Sequence, residues 1–231
     1  MKIKAVIFDL DDTLYDYSRL NDVGIKNAAA YAKEELHCSE EEFLNCFEQA
    51  RKDIKKILKG TAAEHNRLLY FQKTLELLGF SGTYHSLELY NAYWDYLLEH
   101  MRLKEGAIKL LDFCVETKRK VGICSDLTVH IQQRKLRKLD ICQYVDKLVT
   151  SEEAGAEKPN GKMFSLILEK LDILPMEAVF VGDSRVKDID GAIQAGICPI
   201  WLSSELDNSY SGYQVRNLVE IKDIINELER N

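Results

Sequence analysis

The sequence predicts an α/β protein with a doubly wound parallel sheet and a helical domain inserted after the first strand. Short β-branched runs alternate with helical segments along most of the chain, as expected of β-α-β units. Between residues 17 and 100, strand-like runs stop and only helical periodicity continues. No single crossover needs that length. We therefore predict an α/β core from residues 1–16 and 101–231, and a helical cap domain from residues 17–100.

The predicted strands are nearly uninterrupted apolar runs, which is typical of strands covered by helices on both faces. They are Ile3–Phe8, Lys120–Cys124, Lys147–Thr150, Ala178–Val181 and Cys198–Leu202. In the insert, Gly60, Gly79 and Gly82 separate segments of helical periodicity. These predicted helices are Asp22–Leu36, Glu40–Leu58, Glu64–Leu78 and Tyr84–His100. We expect them to form a bundle packed over the core.

Composition excludes several classes of protein. The 231 residues include 46% hydrophobic ones and carry a net charge of -7, which disfavours disorder and nucleic-acid binding. No apolar run suggests a signal peptide or a membrane span. Six cysteines without C-x-x-C spacing indicate free thiols in a reducing cytoplasm. The basic stretch Arg134–Lys138 is interpreted as a solvated helix face.

Polar residues follow three of the predicted strands, at the edge where parallel α/β sheets collect their reactive groups. Asp9-Leu10-Asp11-Asp12-Thr13 follows the first strand, Ser125-Asp126 the second, and Gly182-Asp183-Ser184 the fourth, with Asp188 beyond. Lys158 precedes Pro159 near a predicted helix start. Asp12 is interpreted as a loop or capping residue.

Four of these carboxylates, from Asp9, Asp11, Asp183 and Asp188, would repel one another around a phosphate dianion unless cations offset them. Lys158 supplies one positive charge. Carboxylate, phosphate and water oxygens are the ligands that Mg²⁺ prefers, so we expect Mg²⁺ as the cofactor.

In order and in position, these segments resemble the four motifs of the haloacid dehalogenase superfamily, whose core is Rossmann-like, and the helical insert resembles one of its cap subclasses. The resemblance implies a magnesium-dependent phosphatase of small phosphorylated metabolites. It implies that Asp9 is the nucleophile and a metal ligand. It also implies that Asp11 is the acid/base and binds metal through its backbone carbonyl, and that Asp183 completes the metal ligands.

The same resemblance assigns the residues around these three. Ser125 and Lys158 bind the phosphoryl group, as do Leu10 and Asp126 at the strand ends, and Lys158 also neutralises Asp9. Asp188 orients Lys158 or a metal-bound water, and Thr13 steadies the first loop. The family often has Asn or Gly where this chain has Asp126, and we expect its extra charge to weaken phosphate binding or adjust specificity.

The insert offers one candidate for substrate recognition. Arg67, in the polar cluster Glu64–Arg67, has the fork geometry that binds a carboxylate or phosphate bidentately; the alternative is an exposed helix start. His65 is a weaker candidate. Tyr90, Tyr93 and Trp94 lie at helical spacing and are predicted to form the core of the insert.

Three other functions compete with a phosphatase. A phosphomutase of the same fold keeps both loop aspartates and Mg²⁺, and it is the second reading. A 2-haloacid dehalogenase lacks the second aspartate in this family, so Asp11 disfavours that reading. A receiver-type signalling module has a similar cluster of aspartates, but it is about half as long and has no helical insert.

Overall fold

The computed structural model describes residues 2–230. It divides into two compact units, Met1–Asp16 with Arg102–Asn231 and Tyr17–Met101. The first unit contains six strands: β1 (Ala5–Phe8), β2 (Lys120–Ser125), β3 (Lys147–Thr150), β4 (Ala178–Gly182), β5 (Cys198–Leu202) and β6 (Tyr213–Val215). They form one parallel sheet in the order β3-β2-β1-β4-β5-β6.

The sheet confirms the predicted fold class. Ala5 of β1 is paired with Lys120 of β2 on one side and with Ala178 of β4 on the other, which places the first strand between the other two strands that carry motif residues. All residues of β1 and β4 are buried, as their β-branched and aromatic side chains require. The three-residue strand β6 was not predicted, because its sequence is too short to show a period.

The second unit consists of four helices: α1 (Tyr17–Leu36), α2 (Glu40–Ile57), α3 (Arg67–Leu77) and α4 (Ser86–His100). Helix α1 packs against α2 and α4, and α3 packs against the same two helices. A Cβ on Gly24 would lie 2.2 Å from the Leu97 side chain, so only glycine lets α1 approach α4 this closely. Tyr93 and Trp94 are buried in this unit, which confirms their predicted place in its core.

The start of α3 differs from the prediction by three residues. The side chain of Asn66 accepts hydrogen bonds from the backbone N–H groups of Leu68 and Leu69. This N-cap satisfies donors that a first helical turn leaves free. The helix therefore begins at Arg67 rather than Glu64.

Helices of the first unit flank the sheet: α5 (Ala107–Glu116), α6 (Val129–Lys138), α7 (Ser151–Ala154), α8 (Gly161–Leu171), α9 (Asp190–Gln194) and α10 (Ile221–Arg230). Met163, Phe164 and Ile167 of α8 form one core cluster with Ala5 and Ile7 of the sheet. Because strand side chains alternate, Val6 and Phe8 point to the other face, where they are equally buried. Both faces of the sheet are therefore covered. Among residues 2–230, no helix combines the length and apolarity needed to cross a membrane.

Candidate active site

The candidate active site of the first unit lies at the carboxyl edge of its three central strands. Asp9 directly follows β1, Ser125 ends β2, and Asp183 directly follows β4. The Asp9 N–H donates to the carbonyl of Val181 at 2.9 Å. This hydrogen bond attaches the start of the loop after β1 to strand β4. Residues distant in sequence are thus brought to one edge by strand order alone.

Lys158 joins two of the carboxylates. Its Nζ lies 2.6 Å from Oδ1 of Asp9 and 2.6 Å from Oδ1 of Asp188, and all three side chains are buried. The other Asp188 oxygen accepts the backbone N–H of Ser184 at 2.9 Å. A Cβ on Gly182 would lie 2.4 Å from the Asp188 Cβ. Glycine at the end of β4 is what lets the carboxylate reach this position.

A cluster of three carboxylates, from Asp9, Asp183 and Asp188, surrounds this lysine contact. Their closest oxygens all lie within 4.8 Å of one another. The Thr13 hydroxyl is 3.3 Å from Oδ2 of Asp9 and 3.2 Å from Oδ1 of Asp183, where it can hydrogen-bond the two loops. Oxygen ligands at this spacing suit a hard divalent cation.

Burial and neighbouring carboxylates both raise pKa values in the cluster. Burial raises the pKa of Asp9 well above its ordinary value, and neighbouring carboxylates raise it further against the attraction of Lys158. Burial raises the pKa of Asp183 to about 6. Burial acts to lower the pKa of Lys158, but its carboxylate partners outweigh it and raise that pKa well above the usual range. A bound cation would relieve this repulsion, so the residues present fit Mg²⁺.

The side chain of Asp11 is held apart from the three-carboxylate cluster. Both of its carboxylate oxygens contact the ammonium of Lys135, at 2.6 and 2.7 Å. The Tyr15 hydroxyl also donates to it. The Asp11 carboxylate is therefore engaged by Lys135 and Tyr15 and is not part of the three-carboxylate cluster.

Lys135 corrects one expectation from the sequence. Residues 134–138 were predicted to be a solvated helix face, yet Lys135 has no exposed side-chain surface and Leu136 is buried beside it. The stretch lies on α6, and its periodicity identified the helix without identifying the buried face. Gln132 precedes Lys135 by one helical turn and is also fully buried. Gln132 and Lys135 are one helical turn apart and lie next to the apolar residues Ile131 and Leu136, which are buried. This spacing was the signal in the sequence that could have identified the buried face of the helix.

Gln132 positions the predicted phosphate-binding hydroxyl. Its Nε2 donates to the Ser125 Oγ at 2.9 Å and also to the carbonyl of Asp126. Since the amide occupies a lone pair of the hydroxyl, the Ser125 proton is free to point elsewhere. The side chain of Leu10 is fully buried, so only its main chain can face a ligand.

Asp126 is paired rather than isolated. One of its oxygens accepts the backbone N–H of Lys158 at 3.0 Å, and the other contacts the Lys187 ammonium at 2.8 Å. Burial alone would raise the pKa of Asp126, but Lys158 and Lys187 together lower it. The negative charge of Asp126, which was expected to affect phosphate binding, is therefore paired with the Lys187 ammonium. The sequence did not indicate this pair.

Arg67, in the inserted unit, is surrounded by neutral groups. Its guanidinium donates to the Tyr17 hydroxyl, to Oδ1 of Asn21 at 3.3 Å, to the His65 carbonyl at 3.0 Å and to the Tyr93 hydroxyl at 3.4 Å. It also lies over the rings of Tyr70 and Tyr93. Within residues 2–230, no carboxylate forms an ion pair with it. It is thus part of an ordered polar network rather than an exposed helix start.

Comparison with known proteins identifies the family of this chain. The family model for haloacid dehalogenase-like hydrolases matches residues 6–202. A ribulose-1,5-bisphosphate 5-phosphatase of Halopiger xanaduensis is 42% identical over 196 residues, which cover 84% of this chain and 82% of that protein. A glyceraldehyde 3-phosphate phosphatase of Methanopyrus kandleri is 30% identical over 99% of this chain and 100% of its own.

A solved structure, that of a HAD phosphatase from Thermococcus onnurineus, has a TM-score of 0.72 and 26% identity, and the match covers 96% of this chain and 98% of that one. The chain therefore belongs to the haloacid dehalogenase-like hydrolases. The names of both relatives are those of phosphatases, and this chain is a hydrolase that acts on phosphomonoesters.

Proposed function

We propose that this chain is a Mg²⁺-dependent phosphatase in which Asp9 attacks the phosphorus of a small phosphomonoester. The observation that supports it is the buried Asp9 carboxylate, held 2.6 Å from Lys158 within a cluster of three carboxylates. The Lys158 ammonium offsets the charge of the Asp9 carboxylate and holds it in one position, as a nucleophile requires. The resemblance to the four family motifs assigns it the same role.

In the first step, an Asp9 oxygen forms a bond to phosphorus while the bond from phosphorus to the alcohol oxygen breaks. The Asp11 carboxyl, whose two oxygens contact the Lys135 ammonium in this structure, turns from that contact and gives the leaving alcohol a proton. In the second step, Asp11 takes a proton from water, which attacks the acyl phosphate, releases inorganic phosphate and regenerates Asp9. Division into two displacements replaces one difficult hydrolysis with two easier reactions.

The remaining residues bind and orient. We propose that Asp9, Asp183 and the Asp11 carbonyl hold Mg²⁺, which when bound supplies positive charge to the phosphate oxygens. Lys158 offsets charge on Asp9 and phosphate, and Ser125, with its proton free, donates to a phosphoryl oxygen together with the main chain of Leu10 and Asp126. Asp188 orients Lys158. The contacts described above and the motif resemblance support these proposed roles.

For the substrate, we propose a short phosphorylated sugar. The curated relatives are named for ribulose 1,5-bisphosphate and glyceraldehyde 3-phosphate, both of which are small and polar beyond the reacting phosphate. We propose that the inserted unit acts as the cap that recognises this remainder through Arg67. A partly buried guanidinium whose hydrogen-bond partners are all neutral can still attract an anionic group.

The six cysteines are free, and we propose the reducing cytoplasm as the location.

The phosphomutase alternative differs from the phosphatase only in the final acceptor of the phosphoryl group. Release of inorganic phosphate at the same rate as substrate loss would favour the phosphatase, whereas a rearranged sugar phosphate would favour the mutase.

The decisive experiment separates Asp9 from Asp11. We expect Asp9→Asn to abolish turnover and phosphoenzyme together, whereas Asp11→Asn keeps the nucleophile and loses acid/base help, about 10²–10⁴-fold. An aryl phosphate needs little protonation of its leaving group, so phosphoenzyme should accumulate in Asp11→Asn. Rapid quench with intact-mass analysis detects the added group, and the exposed Asp223→Asn serves as a matched control. Absence of phosphoenzyme in Asp11→Asn, with metal bound, would contradict these roles.

A further inference from the structure

The residue that departs from the family pattern, Asp126, accepts a hydrogen bond from the main chain of Lys158. Its carboxylate is only 15% exposed, and its two oxygens have different partners. One accepts the Lys158 N–H at 3.0 Å, and the other contacts the Lys187 ammonium at 2.8 Å. Asp126 therefore connects the main chain of Lys158 to a second cation that the proposed mechanism does not use.

Lys187 links three loops at the active edge. It belongs to a single π-helical turn after β4, Arg185–Ile189, of the kind often found at functional sites. Its ammonium contacts Asp126 in the loop after β2, and it lies 3.4 Å from Oε2 of Glu157, the residue before Lys158. Both carboxylates are largely buried, while the Lys187 side chain is 38% exposed. One partly exposed cation thus contacts two largely buried carboxylates.

We propose that Asp126 and Lys187 form a positioning pair that fixes Lys158 for phosphate binding, an inference that rests on the proposed phosphatase function. Lys158 must keep its Nζ 2.6 Å from Asp9. If Lys187 lost its charge, the buried Asp126 carboxylate would compete with Asp9 and Asp188 for the Lys158 ammonium. The Lys187 contact removes that competition, and the Asp126 acceptor anchors the Lys158 backbone.

The first experiment measures binding of inorganic phosphate by calorimetry in Mg²⁺, together with kcat and KM on an aryl phosphate. We expect Lys187→Met to weaken phosphate binding about 10–100-fold, by analogy with the loss seen when residues that orient metal ligands are replaced. Lys187→Arg should restore binding to within a few-fold. Lys4→Met is the matched control, since Lys4 pairs with Glu177 in the same unit away from the site.

The double variant distinguishes positioning from simple stabilisation. Asp126→Asn still accepts the Lys158 N–H but carries no charge, so it should suppress most of the Lys187→Met defect in phosphate binding. Thermal unfolding of each variant is recorded alongside. Defects that add in the double variant, or a Lys187→Met protein that binds phosphate as tightly as the parent, would overturn the proposal.

A second comparison does not require Lys187→Met to fold. Asp126→Leu removes the acceptor for the Lys158 N–H, whereas Asp126→Asn retains it, so only the leucine variant should lose phosphate affinity strongly. Equal affinities would overturn the link through Lys158. A parent that binds phosphate but hydrolyses no phosphomonoester would overturn the proposed function and leave this comparison valid; a parent that binds none would overturn both.

Discussion

Replacement of Lys135 with Met tests the buried ion pair on α6. The lysine side chain is fully buried, with its ammonium on both oxygens of Asp11 and 5.8 Å from the centroid of the Tyr15 ring. Methionine matches the stem in length, so the change removes the charge without opening a cavity. What remains is an Asp11 carboxylate with Tyr15 as its nearby donor.

The expected cost follows from burial. Removal of one partner from a fully buried ion pair costs about 3–5 kcal/mol of unfolding free energy. The Asp11 side chain is 21% exposed, and partial hydration of its carboxylate reduces the penalty, so we expect about 2–4 kcal/mol for Lys135→Met. For a chain of this size, that is a loss of about 5–15 °C in Tm.

Urea and thermal unfolding of the purified variants measure this cost. Lys170→Met is the control, because its pair with Glu153 is partly exposed and should contribute no more than about 1 kcal/mol. Asp11→Asn combined with Lys135→Met should recover much of the lost stability, since neither charge is then stranded. A Lys135→Met protein as stable as the control, or a double variant as unstable as the sum of its single changes, would refute the assignment of a buried, energetically coupled pair.

Three further predictions concern the metal and the inserted unit. Excess EDTA should abolish activity and Mg²⁺ should restore it, because the cluster of Asp9, Asp183 and Asp188 has more negative charge than Lys158 balances; an enzyme fully active in chelator would contradict this. Ca²⁺ should inhibit, since its larger and looser coordination misplaces the nucleophile, and steady-state rates in each ion would show it. Arg67→Met should raise KM for a sugar bisphosphate about 10–100-fold, as expected for loss of a charged hydrogen bond, and leave an aryl phosphate nearly unchanged. Equal effects on the two substrates would assign Arg67 a structural role.

Much of the fold was readable because its signals are local. The strands Lys147–Thr150 and Cys198–Leu202 begin and end at the predicted residues, since each is a short run with apolar and β-branched residues between polar or helical segments. The predicted order of motifs at strand ends followed from the rule for parallel sheets. These features depend on neighbours in sequence, which a single chain displays.

The features that sequence did not reveal depend on neighbours in space. Lys135 and Lys187 look like ordinary surface lysines until the contacts with Asp11 and Asp126 are known. Those contacts cross 124 and 61 residues of sequence, and no local pattern specifies them. The assignments of the motif residues remain predictions that the experiments above test.

The way in which the first unit closes its own chain bears on how such proteins diversify. On either side of the insertion point, Tyr15 and Leu103 form an antiparallel bridge, and the Lys104 N–H donates to the Leu14 carbonyl at 2.8 Å. Hydrogen bonds within the first unit therefore hold together the two chain ends between which the insert lies. For ends already held together, lengthening a flexible connection adds only about 0.6 kcal/mol of closure entropy per doubling. Whole modules can consequently be exchanged at this point over evolutionary time without disturbing the register of the strands, which leaves the chemistry of one edge available to many different substrates.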